Sequence, residues 1–325
     1  MLSPDVLHLD AAGATAKLSA TLREQVLGTL RRRGAVLGVS GGVDSAVVLG
    51  LCARALGPER VLALLLPERD SSPDALTDGQ AAADHFGVRA LVEPLGAALQ
   101  AIGCYARQDD AIRSVFPAYG AGWKCKLSLP SILESARLNV FFLTVENPAG
   151  ERFTSRLAAN AYRQLVAATG YKQRLRKSVE YYHADRLQYA VAGTSNRLEL
   201  DQGFFVKQGD GAADLKPIAH LYKTQVYQLA DYLGVPQAIR VKAPTTDTFS
   251  LAQTQEEFFF ALPWREMDLC LYALEHGLPA ADVATAVKLE PEQVERVFRD
   301  LESKRRGARY LHSPPLYAGA PTAEG

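Results

Sequence analysis

Two kinds of segment alternate along the first ~90 residues. Residues 15–33 place Leu18, Leu22, Val26 and Leu30 four apart, which predicts an amphipathic helix. Residues 35–39, AVLGV, are short and apolar and stop at Ser40-Gly41-Gly42, the pattern of a buried strand entering a turn. Residues 45–57 predict a helix closed by Gly57, and 61–67 a second strand stopped by Pro67. Residues 72–87 open on a serine, continue through an alanine-rich body and end at Gly87, a further helix. VRALVEP then begins a third strand at Val88. Strand, helix, strand, helix, strand at these lengths makes parallel βαβ units. The crossovers are expected right-handed and the sheet covered by helices on both faces. The expected fold class is α/β.

The middle of the chain is less regular. Residues 97–170 hold helical patches and little strand signal, and PAYGAGWKCKLSLP (117–130) is expected to be irregular. LQYAVAGTSN (187–196) predicts another buried strand ending in a Gly-Thr loop. Residues 222–236 predict a helix stopped at Gly234 and Pro236. The stretch from about 264 to 306 carries further helical patterns, with Pro291 starting one of them. The composition of PPLYAGAPTAEG, residues 314–325, predicts a loosely ordered end.

Composition narrows the function by exclusion. In 325 residues, 36 Lys and Arg balance 36 Asp and Glu, so nothing in the overall charge calls for nucleic acid or an anionic membrane. Cys52, Cys104, Cys125 and Cys270 are scattered, without a C-x-x-C pair, and read as buried thiols of a reducing cytosol rather than a zinc site. The opening stretch lacks the basic-then-apolar order of a signal peptide, and no apolar run is long enough to cross a bilayer. The expected location is cytoplasmic.

Chemistry concentrates first in SGGVDS, residues 40–45. A strand ending in two glycines and opening a helix gathers backbone N–H groups around a small volume. The glycines permit close approach of an anion, and the helix N-terminus adds its positive end. Ser40 and Ser45 add hydroxyls. This makes a pyrophosphate cradle without the Gly-Lys-Ser/Thr ending of a Walker loop. Asp44 repels phosphate unless a cation stands between them, which points to Mg²⁺. A plain glycine turn with Asp44 capping the helix is the alternative, and the complete six-residue string weighs against it.

SGGVDS resembles the signature loop of N-type ATP pyrophosphatases, which cleave ATP between its α and β phosphates. A second cluster narrows the resemblance. GTSNRLE (193–199), KQGDGAAD (207–214), LYK (221–223) and PTTD (244–247) follow the order of ammonia-dependent NAD synthetases. The likeness is specific over about 190–257, good over 15–92, weaker over 170–189 and poor over 97–168. It implies an adenine nucleotide alpha hydrolase-like, Rossmann-like fold in one domain spanning 1–325, with an insertion at about 97–168 and a helical region at about 255–310. It also implies that ATP and Mg²⁺ serve as cofactors while deamido-NAD is amidated by ammonia through an acyl adenylate. Ser40, Gly41, Gly42, Asp44 and Ser45 would then hold pyrophosphate and metal, with Glu199 a second metal carboxylate. Thr194 and Thr245 lie on the nucleotide side, and Lys223 steadies the phosphates. Lys207, Asp210 and Asp214 would handle the dinucleotide or ammonia, as would Arg174 and Arg176 through the fit of guanidinium to phosphate. The catalytic set is Asp44, Asp210 and Lys223. Family members are homodimers.

Plainer readings stand beside these. Asp210 between glycines suits a turn, and Glu199 suits a surface. The cluster Lys172, Arg174, Arg176 and Lys177 reads equally as an exposed helix face, EFFFALPW (257–264) as core or subunit contact, and SKRRGARYLH (303–312) as a solvated face. The chain also departs from the family pattern. Gly170 stands where an asparagine is usual, and Gln255 where an acid is usual. These departures leave open an alternative in which a different carboxylic acid is adenylated and amidated. A tRNA-thiolating enzyme would want catalytic cysteines, and Cys104 and Cys125 lack a motif. A nucleotide-binding regulator without turnover is the remaining alternative. About 34 residues precede the first strand, fewer than a glutaminase domain needs, so ammonia is expected free or from a separate glutaminase.

Overall fold

The computed structural model describes residues 2–130, 141–246, 248–260 and 262–319. Asp247 of PTTD, residues 131–140 of the 97–168 segment and the last six residues of the expected loose end lie outside that set. Helix α1 (Ala11–Arg23) leads through a π-helical stretch, Glu24–Thr29, to β1 (Ala35–Gly38). Next come α2 (Val43–Leu56), β2 (Val61–Leu65), α3 (Ala75–His85) and β3 (Arg89–Val92). Helices α4 (Gly96–Ala101) and α5 (Cys104–Arg113) precede strands β4 (Lys124–Ser128), β5 (Phe142–Glu146) and β6 (Arg152–Arg156). The long helix α6 (Ala159–Leu187) returns the chain to β7 (Ala190–Val191). The remaining helices are α7 (Arg197–Gln202), α8 (Lys223–Tyr232), α9 (Gln237–Arg240), α10 (Trp264–Glu275), α11 (Ala280–Val287) and α12 (Pro291–His312).

The main sheet has four strands in the order β3-β2-β1-β7, all parallel. Alternate side chains go to opposite faces, as the pleat requires. Ala35, Leu37, Ala63 and Leu65 pack with Val47, Leu51 and Leu229 of α2 and α8. Val36, Leu62 and Leu64 pack with Leu99, Cys104 and Ala184 of α4, α5 and α6. Two-sided burial explains why these strands read as continuous apolar runs. The chain leaves β1 toward β2 on one side, while β7 lies on the other. That divergence opens a crevice beyond the strands' carboxyl ends, the usual ligand position in open α/β sheets.

Two expectations are corrected. Residues 97–168 contain an antiparallel sheet, β4-β5-β6, and β4 lies within the stretch expected to be irregular. KCKLS alternates with Cys125 and Leu127 fully buried beside Leu143 and Val145, but its pattern covers too few residues to stand out. The strand expected over 187–196 is only Ala190–Val191, because α6 runs on to Leu187 and a loop starts at Gly193. Among the described residues, no helix is long and apolar enough to cross a membrane.

Candidate active site

The crevice is a cavity of about 800 Å³. Ser40, Gly41, Gly42, Asp44 and Ser45 form one end. Gly41 has φ +82°, and a Cβ there would lie 2.9 Å from both the Ala75 carbonyl oxygen and Asp78 Cβ, so only glycine fits. Ser45 Oγ donates to the Gly42 carbonyl at 2.9 Å, and Gly42 N donates to Ser40 Oγ at 3.3 Å. Gly42 precedes α2 without a side-chain cap, leaving the first-turn N–H groups directed at the cavity.

Opposite this loop, four side chains interlock with its Asp44. Lys223 is buried at the first position of α8 and forms an ion pair with Asp44 Oδ2. Asn196 Nδ2 donates to Asp44 Oδ1 at 3.2 Å. Asn196 also forms a capping box at the start of α7: its Oδ1 accepts from Glu199 N, and its own N donates to Glu199 Oε2, both at 3.1 Å. Gln255 Nε2 completes the group by donating to Glu199 Oε1 at 3.3 Å. Burial, then the Asp44 carboxylate, push Glu199 up to about 8 despite Lys223 beside it. Burial lowers the Lys223 ammonium, but Asp44 and Glu199 outweigh it and hold it above the ordinary lysine value.

Two carboxyl groups share one ammonium, and Glu199, raised by burial first and by the Asp44 charge second, lacks a full counter-charge of its own. That donor set fits a hard divalent cation. Among the described residues no three acidic, His or Cys side chains converge. The protein would thus offer at most a couple of ligands, and phosphate oxygens and water the rest, as Mg²⁺ prefers.

Of the residues expected at the site, Ser40, Gly41, Gly42, Asp44, Ser45, Arg176, Thr194, Glu199, Asp210, Lys223 and Thr245 line this one cavity. Arg174, Lys207 and Asp214 do not. Arg174 is exposed and donates to the Lys207 carbonyl at 3.3 Å. Lys207 Nζ donates to the carbonyls of Tyr310 and Ser313 at 2.9 and 3.0 Å, capping the end of α12 as a cation suits. Asp214 Oδ2 accepts from Val191 N at 2.7 Å and closes the end of β7. Asp210 does accept from Val206 N at 2.8 Å as a turn residue would, yet it also faces the cavity, where burial raises its pKa.

The exposed-face reading of 171–185 fails for its lysines. Lys172 is 1% exposed and pairs with Asp70 at 2.5 Å and Glu68 at 3.2 Å. Lys177 is buried against Glu180 at 2.6 Å. The basic tract at 303–312 is also engaged: Lys304 pairs with Asp300 at 2.7 Å and Arg305 with Asp201 at 2.6 Å. The aromatic run divides its work, with Phe258 and Phe259 on the cavity wall and Phe260 in the core, all around Phe204.

Sequence reasoning missed Asn196, although N-x-x-E is a readable capping-box signal. It also missed Lys242, whose ammonium lines the cavity beside Asp78 and lies 3.2 Å from Asp74. No local pattern announces that residue.

The parallel sheet, the SGGVDS turn and the paired carboxylates with their lysine define a class of protein, the N-type ATP pyrophosphatase superfamily. Within it, the NAD synthase family model matches residues 14–114 and 138–308. The chain is 59% identical to an NH(3)-dependent NAD(+) synthetase of Mesorhizobium japonicum, over 96% of this chain and 98% of that one. It is 55% identical to the enzyme of the same name from Rhizobium rhizogenes, over 97% and 95%. It belongs to the NAD synthase family. The solved structure of an NMN synthetase from Francisella tularensis shares the fold, with a TM-score of 0.67 at 21% identity over 96% of this chain and 100% of that one.

Proposed function

We propose that the chain is an ammonia-dependent NAD synthetase: it adenylates the nicotinate carboxylate of deamido-NAD with ATP and converts the adenylate to the amide. The interlocked set Asp44, Asn196, Glu199, Lys223 and Gln255, facing the first turn of α2, carries the reading. In the first step the carboxylate attacks the α-phosphorus and pyrophosphate leaves. The 40–45 loop and the α2 N-terminus bind the phosphates, and Lys223 meets the charge that develops on their oxygens. Thr194 and Thr245 offer hydroxyls beside them. Asp44 and Glu199 would hold Mg²⁺, which, when bound, screens phosphate charge and polarises the P–O bonds.

In the second step ammonia attacks the acyl carbon and AMP leaves. Asp210 has its pKa raised by burial, which suits a carboxylate that takes the proton from ammonium. Phe204, Phe205, Phe258 and Phe259 wall the cavity with apolar surface and keep water from the adenylate. Arg176 would reach substrate phosphate, and Arg174, Lys207 and Asp214 would shape the substrate side from outside the cavity lining. The chain acts as one catalytic unit over 1–325, carrying the 97–168 addition, in a reducing cytoplasm that keeps its four buried cysteines as thiols. It works as a homodimer, with ammonia free or supplied by a separate glutaminase.

The test is AMP and NAD formation by the purified protein with ATP, Mg²⁺, ammonium and deamido-NAD, each omitted in turn. Equal yields only with all four present support the reading. A folded Lys223→Met variant is expected to lose on the order of 10²-fold or more in kcat. AMP release driven by another acid and not by deamido-NAD would sink it. That outcome would favour the second reading, a retargeted amide ligase, to which Gln255 points.

A further inference from the structure

We propose that β4, outside the part of the chain the family model matches, is a brace that positions the catalytic segment 244–257, with Lys126 and Gln253 as its positioning residues. The inference rests on the function proposed above. β4 is an edge strand in the order β4-β5-β6, with one row of backbone groups free of β5. Segment 250–257 takes up that row. Leu251 N donates to the Cys125 carbonyl at 3.0 Å, and Leu129 N donates to the Glu257 carbonyl at 3.0 Å. Cys125 N donates to Ser250 Oγ at 2.9 Å. Gln253 Nε2 donates to the Leu127 carbonyl, and Lys126 pairs with Glu257. Phe249 is buried in the core of this sheet beside Leu127 and Leu143.

The same segment then folds on itself toward the cavity. Thr246 N donates to the Gln253 carbonyl at 3.2 Å and Gln255 N to the Pro244 carbonyl at 3.0 Å, with Thr245 opposite Thr254. At the far edge, buried Lys172 donates to the Thr248 carbonyl at 2.9 Å. Thr245 and Gln255 are thus the last links of a hydrogen-bonded ladder rooted in β4. An isolated bridge of this size is too little to hold a reacting geometry; pairing with a packed strand supplies the stiffness. If the brace loosens, Gln255 leaves Glu199 and the aromatic wall opens. Water then attacks the acyl carbon, the bond to AMP breaks, and free acid and AMP leave without amide.

The experiment compares the full chain with Lys126→Ala, Gln253→Ala and Lys126→Arg. AMP and NAD are counted together, KM and kcat are separated for ATP, and chymotryptic cleavage between Phe249 and Phe258 is timed. The unmodified chain should give AMP and NAD in equal amounts. Both alanine variants should release severalfold more AMP than NAD, lose on the order of ten- to a hundredfold in kcat/KM, and be cut faster, with Lys126→Arg close to parental. Equal yields and unchanged cleavage in both alanine variants would overturn the inference. A parent that forms neither AMP nor NAD would sink the proposed function instead, and the cleavage rates would still decide whether β4 holds the segment. A variant that melts far below the parent is replaced by Ser250→Ala, which removes one hydroxyl and is judged by the same two readouts.

Discussion

Asp268 shows how much one buried carboxyl can set. It is 0% exposed on α10, and its Oδ2 accepts from both Thr224 N and Thr224 Oγ1 at 2.7 Å, fixing the start of α8 next to Lys223. Its Oδ1 has no hydrogen-bond partner among the described residues. Burial outweighs the Thr224 bonds and the lowering pull of neighbouring Lys223, and pushes its pKa from 3.8 to about 6. The sign follows by linkage. A raised native pKa gives stability that is present below about pH 4 and lost as pH rises through about 6, because only the unfolded chain ionises freely in between. Asp268→Asn keeps the acceptor and cannot ionise. Its stability relative to the parent should therefore improve by about 2–3 kcal/mol between pH 4 and pH 7, read from urea unfolding at both values; a constant difference refutes the assignment. At this scale the sequence was informative where spacing forms a motif, as for Asp44, Glu199 and Lys223. It was silent where a side chain arrives from a distant segment, as Lys242 does.

Among the elements, the junction of β1 and α2 is the one to which the proposed function assigns the phosphates. Gly41→Ala would force an alanine to φ +82° and press its Cβ against Ala75 and Asp78. A cost of about 1–2 kcal/mol for the left-handed backbone, with steric displacement added, is expected. Chemical denaturation should show the loss, and the KM for ATP should rise as the loop N–H groups move; an unaltered KM would mean the cradle does not hold phosphate. This junction was legible because an apolar run, a glycine pair and a second apolar run are all local. Helix α6 was legible only in part, as a helix face around 172–177, although it spans 29 residues. Its buried face includes Lys172, Lys177, Glu180 and His183, which read as polar. Lys172 is held by an ion pair with distant Asp70 and His183 by a hydrogen bond to distant Glu93, while Lys177 and Glu180 pair with each other. β4 escaped for a related reason: its pairing partners, β5 and segment 250–257, are non-local.

In the whole molecule, the cavity collects Gly38, Leu64 and Leu65 from the main sheet, Phe141, Tyr162, Phe249 and Phe258 from the core beneath the added sheet, and Leu311 from α12. A nucleotide bound there, as proposed, would touch several of these packing units at once. ATP with Mg²⁺ at a hundredfold excess over Kd should stabilise the fold by about 2.7 kcal/mol, seen as a melting temperature several degrees higher. Mg²⁺ alone should do much less, since the protein offers it few ligands; equal shifts from metal alone would contradict the shared-ligand reading.

The sheet order also has a consequence for how the chain comes into being. β1 pairs with β7, Ala35 beside Ala190, so the strand bearing the phosphate loop waits for a neighbour 155 residues downstream. At ribosomal speeds of about 5–20 residues per second, that wait lasts roughly 8–30 s, during which one edge of β1 stays open in the nascent chain. Asn196, Glu199 and Lys223 are made later still. The proposed nucleotide site therefore cannot exist during the first half of synthesis, and ATP bound there would act only on a chain that has closed its sheet.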